Sequence, residues 1–455
     1  MSTYTLSIQI KDFVRQMLVD LWQGKLPSVS LAKYQLCSVF SKESRCLAFE
    51  KSDNQENLSL QQRGSAQRLV VMLRVLGIVQ QLLEQDKHAS KRDIYYTDPA
   101  LFHDFFSLFR NSMADKGKGK LLVEESSSST RRHRRETAAV DTQFMASART
   151  TARTSRAPRP SMTAEEQEEN DLFTAQLMSM MGTFEQLAKN PRMQKLLKTK
   201  DYRTDVKTID QAINDICIHF NCNRGSLNVV SVSKGLVMGW LRYNDDGRKI
   251  DCMKYSCTGL SIPVHTNLVQ NITSLADYIL LVEKETVFQR LANDGYCLKN
   301  RCIILSGKGY PDVATRSFLR LLKDKLHLPV FGLVDGDPYG LDILLTYTFG
   351  SLTMAYDAEA LVTPSIHWLG VLLSDCEAFG VPARCLLPLT TKDKQKASAI
   401  LKRPYVKRYV PFWSNQVEMM LQQAVKVEIE AVASISFSFL AECYLPSKIQ
   451  GGSYL

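Results

Sequence analysis

The sequence contains no hydrophobic run long enough to cross a bilayer. Its best stretch, residues 69–79, is interrupted by Arg74, and a spanning helix needs about 20 apolar residues. The opening segment, MSTYTLSIQIKDF, lacks a basic start leading into an apolar stretch, so secretion through a signal peptide is not expected. Cysteine is scarce, 11 in 455 residues and odd in number, which argues against a disulfide-stapled scaffold. These absences predict a soluble intracellular protein with no membrane contact. What is present is ordinary globular composition, 45% hydrophobic and 23% charged, at a length that suits two or three domains.

The formal charge is +10, and its placement matters. Residues 115–160 hold 11 basic and 5 acidic side chains, but residues 161–171 add five acids and no base, so the stretch nets +1 and the rest of the chain +9. Such a surplus on folded surface favours an acidic partner such as nucleic acid; a merely solvated basic surface fits the charge equally well. The basic stretch itself, with SSSST, RRHRR and ARTTARTSRAPRP, buries too little apolar area to offset its ordering entropy and predicts disorder. A helix is expected after it, with Thr163 and Glu166 as a capping pair and Phe173, Leu177, Phe184 and Leu187 on one face.

Before this insertion, residues 66–85 predict an amphipathic helix carrying Leu69, Leu73, Leu76, Val79 and Leu83 at helical spacing. A short helix is expected from Ser90, whose hydroxyl can cap it with Asp93 at the third position, ending at Asp98-Pro99. After the insertion, residues 208–220 read as a helix. Residues 226–232 and 236–243 then read as two strands joined through Ser233-Lys234-Gly235. Short helices followed by a hairpin are the layout of a winged-helix module.

The C-terminal half changes character. Residues 278–282, 302–305 and 330–334 are fully apolar runs separated by helical patterns, which predicts a parallel sheet buried on both faces. Each run ends in polar or glycine-rich residues: Glu283, then Ser306-Gly307-Lys308-Gly309, then Asp335-Gly336-Asp337. Ligands of such sheets bind beyond the carboxyl ends of the strands. Asp335 and Asp337, one residue apart, would repel each other without a cation between them. An all-oxygen donor set with Glu283 suits Mg²⁺; a solvated Asp turn is the plainer alternative. Gly307-Lys308-Gly309 lacks the spacing and hydroxyl of a nucleotide-binding phosphate loop. Lys308 is therefore either a contact to a nucleic-acid phosphate or an ordinary turn residue. On the helix from Ser90, Arg92 and Tyr96 share a face; a tyrosine hydroxyl can be a nucleophile and a neighbouring guanidinium can hold a phosphate.

Together RDIYYTDPALF, SLNVVSVSKGLVMGWL, YILLVEKETVFQRL, SGKGYPDVATR and LVDGDPYGLDIL resemble the meiotic double-strand-break transesterases, which are related to the A-type chain of topoisomerase VI. The resemblance implies an N-terminal region over 1–64 and a winged-helix, CAP-like domain from 65–113 and 203–272. It further implies an insertion over 114–202 where relatives usually have a short link, and a Toprim domain with a helical extension over 273–455. It implies that Tyr96 attacks a DNA phosphodiester and becomes joined to the 5′ end, that Arg92 orients the phosphate, and that Glu283, Asp335 and Asp337 hold Mg²⁺. It implies as partners double-stranded DNA, a second A-type chain, identical or related, and a B-type topoisomerase VI-like chain, in the nucleus. Two rival readings stand beside it: a metal-dependent glycosyltransferase or phosphatase using Asp335-x-Asp337, and a winged-helix DNA-binding protein without catalysis.

Overall fold

In the computed structural model, residues 3–23, 25, 28–32, 38–49, 55–59, 63–97 and 206–455 are described. The expected disorder of 115–160 and the helix after Thr163 lie outside them. Helix α1 (Thr3–Trp22) buries Leu6, Ile10, Val14 and Met17 at the 3.6-residue period, against α2 (Arg63–Glu84). On α2 the predicted stripe of Leu69, Leu73, Leu76 and Val79 is fully buried. Strand β1 (Ala89–Ser90) leads directly into helix α3 (Lys91–Thr97). Helix α4 (Val206–Phe220) packs on both α2 and α3. Arg68 of α2 forks onto Asp215 of α4 through two 2.7 Å bonds, a bidentate geometry that fixes the rotation of one helix on the other.

The expected hairpin over 226–243 does not form. Only Val229–Val230, strand β2, is extended in its first half, and it pairs in parallel with β1. The second half divides into β3 (Leu236–Gly239) and β4 (Leu241–Asp245), which enter different sheets. The break has a steric cause. Gly239 sits at φ +107, where a Cβ would lie 2.2 Å from the Cys302 carbonyl oxygen, so the chain turns there. The hairpin that does form joins β4 to Arg248–Asp251 through Asp246-Gly247, both at positive φ, the two-residue turn that Asp-Gly favours.

The central sheet matches the sequence reading. In the order Leu260–Ser261, β3, β6 (Cys302–Ser306), β5 (Tyr278–Val282), β7 (Val330–Leu333) and β8 (Ile366–Gly370), its four strands β6, β5, β7 and β8 run parallel. Strand β3 runs antiparallel to β6 and Leu260–Ser261 pairs antiparallel to β3 at the edge, so the sheet draws on residues expected to belong to the winged-helix part. Every residue of β5, β6 and β7 is buried, because helices cover both faces and there is no wet side to take alternating polar residues. Helices α5 (Glu285–Asn293) and α6 (Val313–Leu326) make the crossovers, and α7 (Pro338–Phe349) follows β7. The outcome is mixed α/β with a helix-flanked, largely parallel sheet.

Candidate active site

The carboxyl ends of β5 and β7 bring Glu283 and Asp335 side by side. The Asp335 backbone N–H donates to Glu283 Oε2 at 2.9 Å. Asp335 is 7% exposed; its Oδ1 accepts the Ile429 N–H at 2.9 Å and its Oδ2 lies 3.0 Å from Lys284 Nζ. Asp337 caps α7, accepting the Tyr339 and Gly340 N–H groups at 2.9 and 2.7 Å, with Pro338 at the first helical position, where its missing N–H is not needed. Gly340 is required by this closeness: a Cβ there would meet the Asp335 carbonyl oxygen at 2.4 Å and Glu283 Oε2 at 3.1 Å.

Burial governs the electrostatics of this edge. Burial, reinforced by the charges of Asp335 and Asp337, pushes the Glu283 carboxyl up to about 7. Burial also raises Asp335, partly offset by the Ile429 amide and Lys284. The segment after Val425–Lys426 closes the edge. Gly336 and Val427 exchange backbone hydrogen bonds at 2.8 and 3.2 Å, and Glu428 and Glu430 approach Lys284 Nζ at 3.4 and 2.7 Å. Sequence reasoning missed Lys284, Glu428 and Glu430; Lys284 lies inside the quoted VEKE, whereas nothing local marks the two glutamates.

Tyr96 and Arg92 stand on a lightly anchored helix. Ser90 and Asp93 cap α3 reciprocally, Asp93 Oδ2 accepting the Ser90 N–H at 2.8 Å and Ser90 Oγ the Asp93 N–H at 3.3 Å, as the spacing predicts. Ile94 is the buried anchor, and Lys91 pairs with Asp210 of α4 at 2.7 Å. Arg92 is exposed and Tyr96 is 72% exposed, its ring edge-on to Tyr95 at 5.3 Å. Among the described residues neither Tyr96 nor Arg92 bonds to Glu283, Asp335 or Asp337. Arg92 instead lines a cleft of about 1080 Å³ with Lys91, Lys234, His265 and Arg320.

Residues 278–449 match the family model of the TOP6A-Spo11 Toprim domain, and residues 67–104 that of type IIB DNA topoisomerase. The meiotic recombination protein SPO11-1 of Arabidopsis thaliana is 41% identical over 443 residues, 97% of this chain and 94% of that protein. The chain belongs to the TOP6A-Spo11 family. The meiotic recombination protein SPO11 of Mus musculus is 41% identical over 249 residues, 54% of this chain and 62% of its own. The A-type chain of DNA topoisomerase 6 from Arabidopsis thaliana is 42% identical over 260 residues, 56% of this chain and 61% of its own. This Spo11-family chain is a DNA-cleaving, topoisomerase-like enzyme, and the glycosyltransferase, phosphatase and non-catalytic readings fall away.

A Toprim domain typically binds a divalent metal. Among the described residues, no three His, Cys, Asp or Glu side chains stand gathered as a metal cage. Glu283 and Asp337 accept backbone amides, and Asp335 is shared between an amide and the Lys284 ammonium. The donor chemistry fits Mg²⁺ all the same, since the set is oxygen-only and built of three carboxylates. Lys308 reaches the same edge, but its ammonium pairs with Glu285 at 2.8 Å. Its loop contributes otherwise, because the Gly309 N–H holds the Glu283 carbonyl at 2.9 Å.

Proposed function

We propose that this enzyme makes the double-strand breaks that start meiotic recombination, by tyrosine transesterification. The Tyr96 oxygen attacks a DNA phosphorus, the bond to the 3′ oxygen breaks, and the 5′ phosphate stays on the tyrosine. The tyrosine proton leaves as the 3′ hydroxyl gains one, so no nucleotide is consumed at this site. Arg92, one turn before Tyr96 on an exposed face, steadies the phosphate and offsets its developing charge. The tyrosine proton needs an acceptor, and Glu283, a carboxylate at the sheet edge, is the group assigned to that task.

Glu283, Asp335 and Asp337 would hold Mg²⁺, which supplies positive charge to the phosphate oxygens when bound. Lys308 would contact a phosphate after leaving Glu285. The domains are read as a winged-helix domain over 65–113 and 203–272 and a Toprim domain with a helical extension over 273–455, flanked by an N-terminal region and the 114–202 insertion. The observation that carries the reading is that an exposed Tyr96 makes no bond to the half-buried Glu283 and Asp337 or the buried Asp335 of its own chain. It calls for two A-type chains, identical or related, the tyrosine of each meeting the carboxylates of the other so that both strands of a duplex are cut. A nuclear location and a B-type topoisomerase VI-like partner complete the proposal. Recovery of covalent protein–DNA adducts from meiotic cells tests it: wild type should yield them and Tyr96→Phe should not.

A further inference from the structure

Lys284 holds a position that the proposed chemistry does not use. It follows Glu283 at the end of β5 and is the N-cap residue of α5, with extended backbone at φ −95 and ψ 138. Strand and helix fix its backbone from both sides, so movement is left to its four-carbon stem. Its ammonium, with three protons to donate, faces Asp335 Oδ2 at 3.0 Å, Glu430 Oε2 at 2.7 Å and Glu428 Oε2 at 3.4 Å. Burial works against that ammonium, but the bond to Glu430 and the charge of Asp335 outweigh it and hold the group well above the ordinary lysine range. Thr286 Oγ1 donates to Glu430 at 3.3 Å, which keeps the second partner in place.

We propose that Lys284 is an exchanging counter-ion: it neutralises Asp335 in the metal-free protein and withdraws onto Glu430 and Glu428 when a divalent cation takes Asp335. The inference rests on the reading of Glu283, Asp335 and Asp337 as the Mg²⁺ donors. An ammonium 3.0 Å from Asp335 Oδ2 competes with any cation for the same oxygen, because like charges at that range repel strongly in a partly buried site. Leaving costs little, since two further carboxylates already hold the ammonium. The arrangement lets the carboxylate edge fold without metal and still yield Asp335 to it.

The test is calorimetric titration of the full chain with Mg²⁺ alone, on wild type, Lys284→Met, Glu430→Gln and the double variant. Lys284→Met should tighten Mg²⁺ binding by roughly tenfold, the order that one removed charge sets. Glu430→Gln should weaken binding in the wild-type background and have no effect beside Lys284→Met, because the glutamate matters only as a place for the lysine to go. Fixed, independent charges would instead make Glu430→Gln equally harmful in both backgrounds, which overturns the exchange; so does unchanged affinity in Lys284→Met. Melting temperature is the second readout. Lys284→Met should be less stable than wild type in chelator and equal to it in saturating Mg²⁺, and an equal loss in both conditions sinks the proposal. Mg²⁺ binding that survives Asp335→Asn plus Asp337→Asn overturns the donor reading itself, and the exchange with it. Binding lost in that variant but indifferent to Lys284→Met removes the exchange alone.

Discussion

The carboxylate edge and the tyrosine helix are built to opposite standards. At the edge, Glu283, Asp335 and Asp337 each accept at least one backbone amide within 2.7 to 2.9 Å, and the Gly336–Val427 bridge closes the rim from the C-terminal segment. The tyrosine helix has seven residues, one buried anchor in Ile94, and a tyrosine that is 72% exposed. The rigid half is held fixed before substrate arrives; the exposed half is left open to meet another surface. That difference favours placing the two halves of the chemistry on different chains.

The largest expected effect falls on the open half. Tyr96→Phe should reduce covalent adducts by about 10³-fold or more, as loss of a nucleophile does, while circular dichroism and DNA binding stay unchanged. Tyr95→Phe should spare adducts; the reverse pattern would move the nucleophile to Tyr95. Next, Asp335→Asn or Asp337→Asn should lower Mg²⁺ affinity by at least the roughly 10–100-fold that loss of an outer-shell partner costs, with break formation falling alongside. Asparagine is a good N-cap, so Asp337→Asn should keep its melting temperature. Normal breaks from the double variant at unchanged Mg²⁺ dependence would strip the edge of its role.

Gly340→Ala sharpens the claim that the rigid half is sterically exact. Its methyl would press on the Asp335 carbonyl oxygen at 2.4 Å, and overpacking of this kind costs about 1–3 kcal/mol, read as a lowered melting temperature. A smaller effect is pH-dependent. The folded Glu283 value of about 7 lies above its ordinary 4.5, so the folded chain retains a proton that the unfolded chain has lost. In chelator, the stability Glu283 contributes is therefore full below the unfolded value and is lost as pH rises through about 7. Glu283→Gln should flatten that slope in melts across the window; an unchanged slope would assign it to another group. Smallest is Lys308→Ala: a half-exposed pair with Glu285 is worth about 0–1 kcal/mol, so its melting temperature should barely move.

Much of the rigid half was legible in the sequence, because a strand buried on both faces has no choice but to be apolar throughout. Residues 278–282, 302–305 and 330–334 announce themselves that way, and the residues ending them land at one edge. The reciprocal cap of Ser90 and Asp93 was equally readable, since it is a contact three residues long. The hairpin over 226–243 failed because Val237 and Met238 are both buried, in a strand recruited by β6 more than 60 residues later. The hairpin that forms carries its signal in Asp246-Gly247. Lys284 with Glu430 could not be seen at all: the partners are 146 residues apart, and only the fold joins them.

The most direct test of the division between chains mixes two inactive proteins, Tyr96→Phe and Asp335→Asn, and measures covalent adducts on each DNA strand. If the tyrosine of one chain works with the carboxylates of the other, the mixed dimer holds one intact site, made of Tyr96 from the Asp335→Asn chain and the carboxylates of the Tyr96→Phe chain. The account predicts adducts on a single strand, absent from either protein alone. No adducts from the mixture, beside a wild-type control that forms them and with mixed dimers verified, would mean that each chain completes its own site, and would contradict the account.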